Sequence, residues 1–279
     1  MELMEKKMNY HSDQYIMNCV LEHYNEALEH FPEDRIVGLF YQGSGNYGLD
    51  YEGSDIDTKL IVAPTLKDIA MNKNPVSTTH VRSNGEHIDF KDIRLYIQTF
   101  RKQNLNFLEI LFTKYKIINP MYEQQWNRLV NARDAIVHYD PVRSIKSMRG
   151  VAKEKYFAME HKYPSRMEWI NRFSYDPKQL HHLIRVDEYL ERYINGEPYE
   201  QCLISNMPEY LKSVKLGTAH ELDEARIIAD KTINHVDAMC EEFLKKEYEV
   251  DMNIDRLLDD VQYEMTKIAI RQELMEHAK

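Results

Sequence analysis

Glycine and proline are scarce, with nine of each in 279 residues. So little turn material argues against long structureless loops and predicts long regular elements. Cysteine is scarcer still: Cys19, Cys202 and Cys240 lie far apart, in no Cys-x-x-Cys or Cys/His spacing. They read as buried free thiols in a reducing compartment rather than as a disulfide framework or a zinc site. No uninterrupted apolar run is long enough to span a bilayer, so no membrane partner is expected. No apolar stretch follows Lys6 and Lys7, which predicts no signal peptide and a cytoplasmic location. Positive charge is also short, with 36 basic against 46 acidic side chains and a net charge of −10. A protein that coats long duplexes carries a broad basic footprint, and this chain does not.

The charge is unevenly spread. Residues 1–142 carry 15 basic and 20 acidic side chains, 143–185 carry 10 and 4, and 186–279 carry 11 and 22. A basic segment inside an acidic chain suits one triphosphate or a short RNA. A solvated basic helix gives the same pattern. The chain is long enough for one large or two ordinary domains.

The first thirty residues read as helical, because Tyr15, Ile16, Cys19, Val20, His23, Tyr24, Ala27 and Leu28 recur at helical spacing. Ile36 to Gln42 is a short apolar run that reads as a buried strand. Asp55 to Val62 reads as a second strand. Val76–Arg82 and Glu86–Phe90 flank Ser83-Asn84-Gly85, and Asn-Gly between strand-like runs predicts a hairpin. Asp92 reads as the N-cap of a helix to about residue 102. A helix is expected over 107–115, with Asn106 as its cap, while Glu109 either supports that cap or lies near the site. Further helices are expected at about 121–138, 142–162, 177–195, 221–248 and 252–276. The pattern predicts a small α/β unit with a mixed sheet over residues 1–115, followed by an all-helical region over 116–279. With no Gly/Ser-rich linker between them, the two are expected to pack with a cleft between.

Chemistry concentrates between Gly43 and Asp89. Side chains alternate along a strand, so Asp55 and Asp57 point to one side, about 7 Å apart at Cα. If the hairpin strand pairs beside them, Asp89 joins the cluster. Three close carboxylates repel one another unless a cation lies among them, so two Mg²⁺ ions held by Asp55, Asp57 and Asp89 are the expected cofactors. Gly43 lets the backbone approach a phosphate, and Ser44 adds a hydroxyl. Asn46 and Tyr47 lie in the same loop, where they either touch the nucleotide or set the loop's shape. The bland reading makes Asp55 a turn cap and Asp89 an exposed hairpin residue. The apolar neighbours of both argue against it, since acids on such strands are costly unless they bind something.

Gly43-Ser44, Asp55-x-Asp57 and the apolar-Asp-apolar triplet at Asp89 together resemble the signature of polymerase-β-type nucleotidyltransferases. Asp92-Ile93-Arg94, the Asn104-x-Asn106-x-x-Glu109 stretch and Lys178-x-x-x-His182-x-x-Arg185 resemble the branch called RNA-repair-pathway polymerase-β-like nucleotidyltransferases. That resemblance runs from about residue 37 to about residue 195. Gly45 is a departure, since the branch often has a bulkier residue after the serine. The resemblance implies transfer of a nucleoside monophosphate from an NTP, with ATP the expected donor, to a hydroxyl on an RNA end or tRNA, a protein or a small molecule. It also turns the Lys178, His182 and Arg185 stripe, otherwise a polar surface face, into a phosphate clamp. A nucleotide-binding regulator without turnover, or an antitoxin-like partner protein, is the alternative.

Overall fold

A computed structural model describes residues 10–277. The expected helix over the first thirty residues begins, within that range, at α1 (Asp13–Ala27). The reading of Lys6 and Lys7 lies outside the described residues. No helix among the described residues is long and apolar enough to cross a membrane. Cys19, Cys202 and Cys240 are buried free thiols.

The chain forms two compact units, and neither is one stretch of sequence. Among the described residues, one comprises 10–46, 52–140 and 250–277, and the other 141–249 with 47–51.

The first unit holds a mixed five-stranded sheet in the order β3-β4-β2-β1-β5. Its strands are β1 (Ile36–Gln42), β2 (Asp57–Val62), β3 (Ser77–Val81), β4 (His87–Asp92) and β5 (Lys116–Ile118). β1 pairs antiparallel with β2 and β5, and β3 pairs antiparallel with β4 through the expected Asn-Gly hairpin. β2 and β4 run parallel, with Lys59 beside Asp89. Alternation divides the side chains between two faces. Leu39, Tyr41, Leu60, Val62, Ile88 and Phe90 pack with Ile16, Val20, Tyr24 and Ala27 of α1 in one core. On the other face Phe40 meets Trp126 of α5 (Glu123–Asn131) at 4.3 Å between rings.

Short α2 (Leu66–Ala70) follows β2, and α3 (Ile93–Arg101) follows β4 directly. The Asp92 carboxylate caps α3 by accepting from the Arg94 amide at 2.8 Å, as expected. The helix expected over 107–115 is corrected. α4 (Leu105–Leu108) ends after one turn, residues 109–111 form a 3-10 turn, and the chain enters β5. The cap is Asn104, whose side chain accepts from the Asn106 amide at 3.1 Å, so Asn106 is not the cap. The helix cannot run on to 115, because the Tyr115 carbonyl accepts from the Tyr41 amide at 2.9 Å and the chain continues as the edge partner of β1.

After α6 (Arg133–Ile136) the unit is completed from the far end of the sequence by α13 (Met252–His277). Ile254, Leu258, Val261, Met265 and Ala269 recur at helical spacing and are buried. Arg101 binds Asp255 at 2.8 Å and Asp259 at 2.5 Å, which ties the acidic helix to α3.

The second unit is helical: α7 (Pro141–Ala158), α8 (Met167–Phe173), α9 (Pro177–Ile194), α10 (Tyr199–Leu203), α11 (Pro208–Lys215) and α12 (Leu222–Phe243). α9 is its centre, packed by α7, α11 and α12. Pro177 sits at its first position, and the Asp176 carboxylate caps it by accepting from the Lys178 amide at 3.0 Å.

Candidate active site

The sheet-bearing unit presents a cluster of charged side chains where β1 ends and β2 and β4 begin. Gln42, the last residue of β1, is the register partner of Asp57, the first of β2. Asp57 and Lys59 alternate with Thr58 and Leu60 and therefore share the face of Asp89 and Lys91. Asp57 and Asp89 thus lie on one face, as expected. Asp55 is exposed, two residues ahead of the strand.

Each of the two strand acids already has a partner. Asp57 Oδ1 accepts from the His87 amide at 2.9 Å and lies 3.3 Å from His87 Nδ1. Asp89 Oδ1 accepts from the Thr79 hydroxyl at 3.2 Å, and its Oδ2 pairs with Lys59 Nζ at 3.5 Å. Lys59 is only 5 % exposed, and its ammonium stands 4.1 Å from the centroid of the Phe107 ring. Burial pushes that ammonium below the usual lysine range, while the Asp89 and Glu109 carboxylates oppose the shift. Glu109 is itself buried. Sequence reasoning missed Lys59 as a site residue. The signal was available: Lys59 is two residues from Asp57 on a strand, so it had to share its face.

Carboxylate oxygens suit Mg²⁺ in kind, and Asp57 with Asp89 suit it in face. Among the described residues, no three His, Cys, Asp or Glu side chains are gathered to hold a metal ion. The cation beside Asp89 is the Lys59 ammonium.

The Gly43–Asn46 loop begins as a 3-10 turn over Ser44–Asn46. The Gly45 amide donates to the Tyr41 hydroxyl at 3.0 Å, and the Asn46 amide to the Gly43 carbonyl at 3.0 Å. Those two amides are therefore committed within the loop rather than offered to a phosphate. A Cβ at Gly43 or at Gly45 would stand 2.8 Å from the Tyr41 hydroxyl. This explains the glycine after Ser44 by packing, since no side chain fits there without moving Tyr41. Asn46 sets the loop's shape: its Nδ2 donates to the Tyr41 carbonyl at 3.2 Å, and its Oδ1 accepts from the Thr113 hydroxyl at 2.7 Å. The Ser44 hydroxyl lies 3.4 Å from that of Ser54, so the start of the loop is tied to the approach to Asp55.

The remaining expected residues lie in the helical unit, to which Tyr47 also belongs. The Arg185 guanidinium stacks over the Tyr47 ring at 3.7 Å. Lys178 is exposed and His182 is half-buried on the same face of α9. Burial pushes the His182 imidazole well below its ordinary range, and the charges on Lys178, Arg185 and Lys155 add to the effect. His182 is thus neutral among cations. His181 is structural: it is buried, and its Nδ1 donates to the Leu211 carbonyl at 2.8 Å.

No protein-family model matches the chain, and no curated protein matches it.

Proposed function

We propose that the chain is a Mg²⁺-dependent nucleotidyltransferase of the polymerase-β type, moving a nucleoside monophosphate from an NTP, with ATP the expected donor, to a hydroxyl acceptor. One observation carries this reading. The parallel register of β2 and β4 brings Asp57 and Asp89 to one face, at the sheet end where Gly43-Ser44 leaves β1. A serine hydroxyl at a turn, beside carboxylates on one sheet face, supports a reading of nucleotidyl transfer.

Asp57 and Asp89, with Asp55 from the adjoining segment, would hold the metal. When bound, it would neutralise phosphate charge and steady the pyrophosphate leaving group. The chain's own groups have separable tasks. The Ser44 hydroxyl holds a phosphate oxygen, and Lys59 offsets the negative charge around Asp89. In the helical unit, the Lys178 and Arg185 face of α9 offers charge-assisted contacts to phosphate. The acceptor is an RNA end or tRNA, a protein side chain or a small molecule.

Pyrophosphate release from each of the four NTPs with Mg²⁺ tests the reading, with total RNA, protein and small-molecule fractions as acceptors and the label followed into product. Release with one NTP and one labelled fraction is expected. The Lys59–Asp89 pair also favours a second reading, a nucleotide binder without turnover, because Asp89 already has a cation. NTP-dependent thermal stabilisation without pyrophosphate from any acceptor pool would select that reading.

A further inference from the structure

The two acids of the Asp55-Ile56-Asp57 segment flank an amide held from behind the sheet. The Ile56 amide donates to Glu86 Oε1 at 3.2 Å. The other oxygen of that carboxylate accepts from Asn84 Nδ2 at 2.6 Å and Arg82 NH1 at 2.8 Å, and lies 3.1 Å from His23 Nε2. His23 reaches the same strand one residue past Asp57, with Nδ1 2.9 Å from the Thr58 hydroxyl. An ionised carboxylate only accepts, so Nε2 donates to Glu86 and Nδ1 accepts from Thr58. Arg82 is anchored in turn to Glu26 of α1 at 2.7 Å.

We propose that Glu86 is a positioning residue that fixes the Asp-x-Asp segment through the Ile56 amide and, by way of His23, through Thr58. Glu86 is 9 % exposed, and His23 is fully buried. A carboxylate so placed costs desolvation energy that an apolar side chain would avoid. Here every contact of that carboxylate is directed, and two of its links end on the residues either side of Asp57. β2 begins only at Asp57, so the Ile56 amide takes its partner from Glu86 rather than from the strand ladder, while the Ile56 side chain is buried in the core beneath α1. The network joins that amide to α1 and to the hairpin, so the backbone that carries Asp55 and Asp57 keeps one orientation when ligand arrives.

This inference rests on the transferase reading for its kinetic test, but its structural part can be read without activity. Two measurements on the full chain decide it. The first is steady-state pyrophosphate release with Mg²⁺ and the preferred NTP, for Glu86→Gln and for Thr58→Val beside Thr58→Ser. Removing such an outer contact is expected to lower kcat about 10- to 100-fold, with KM for the NTP within about twofold and with Thr58→Ser restoring activity. The second is amide hydrogen exchange across residues 54–60, which is expected to quicken in Glu86→Gln and Thr58→Val. A folded Glu86→Gln with unchanged kcat overturns the proposal. If the wild type releases no pyrophosphate, the transferase reading fails separately, and exchange decides: unchanged exchange at 54–60 in either variant overturns positioning, and faster exchange confined there supports it. Should Glu86→Gln fail to fold, the Thr58 pair decides, and equal kcat and exchange in Thr58→Val and Thr58→Ser overturn it.

Discussion

Lys59 Nζ lies 3.5 Å from Asp89 Oδ2 on adjacent parallel strands, on the sheet face that also carries Asp57. The acid expected to attract a metal ion therefore has an internal ammonium at its side. Lys59→Met would leave the half-exposed Asp89 carboxylate without that counter-charge. Thermal unfolding with and without Mg²⁺ should show a lower Tm for the variant and a larger Mg²⁺-induced rise than in wild type. An equal rise in both proteins would mean that the Lys59 ammonium does not compete with a divalent cation at Asp89.

Asp55→Ala and Asp57→Ala should abolish transfer while leaving the fold intact. A lost metal contact forfeits several kcal/mol of charge stabilisation, which at 1.36 kcal/mol per tenfold means a fall of about 100-fold or more. Circular dichroism checks the fold and pyrophosphate release checks the chemistry. Undiminished release in both variants would remove the mechanism.

Lys178→Ala and Arg185→Ala should weaken nucleotide or acceptor binding more than folding. A charged hydrogen bond contributes about 1.5–3 kcal/mol, so KM should rise roughly 10-fold or more. Arg185→Ala also uncovers the Tyr47 ring, which the guanidinium faces at 3.7 Å. Kinetic constants unchanged in both variants would assign this face to the surface.

Stability should fall as the solution is acidified below neutrality. Burial holds the His181 imidazole down to about 3, and burial also lowers that of His23. Their unfolded counterparts titrate near 6.5. Between those values the unfolded chain binds more protons, so the stabilisation is complete above about pH 6.5 and drains as pH falls toward the folded value. For one such histidine the slope approaches roughly 1.4 kcal/mol per pH unit. Urea midpoints measured between pH 7 and pH 5 should fall, and His181→Gln should flatten the fall. An identical slope in the variant would exclude His181 as its source.

Gly217→Ala should destabilise the helical unit by about 1–3 kcal/mol. Gly217 has φ +71°, and an added Cβ would meet the Phe173 ring at 2.6 Å. Chemical denaturation compares the two proteins, and equal midpoints would mean that the ring moves freely aside.

Where neighbouring residues decide, the sequence was legible. β1 was expected over Ile36–Gln42 and has those bounds. α9 spans Pro177–Ile194 against an expected 177–195, because Asp176-Pro177 supplies both cap and first-turn geometry. The hairpin followed from Asn84-Gly85. The end of the helix expected over 107–115 was not legible, because it is set by the bond from the Tyr41 amide to the Tyr115 carbonyl, 74 residues along the chain. The site divides in the same way. Strand parity sets Asp57 on one face with Lys59, and the chain order alone shows that. That Lys59 is buried against Phe107, that Asn46 is spent on Tyr41 and Thr113, and that Glu86 reaches back 30 residues to the Ile56 amide depend on strand register and packing across the sheet. Such contacts join residues far apart in the chain, whose pairing is specified only once every strand has found its neighbour. Local periodicity determined the elements, and tertiary structure decided which charges meet.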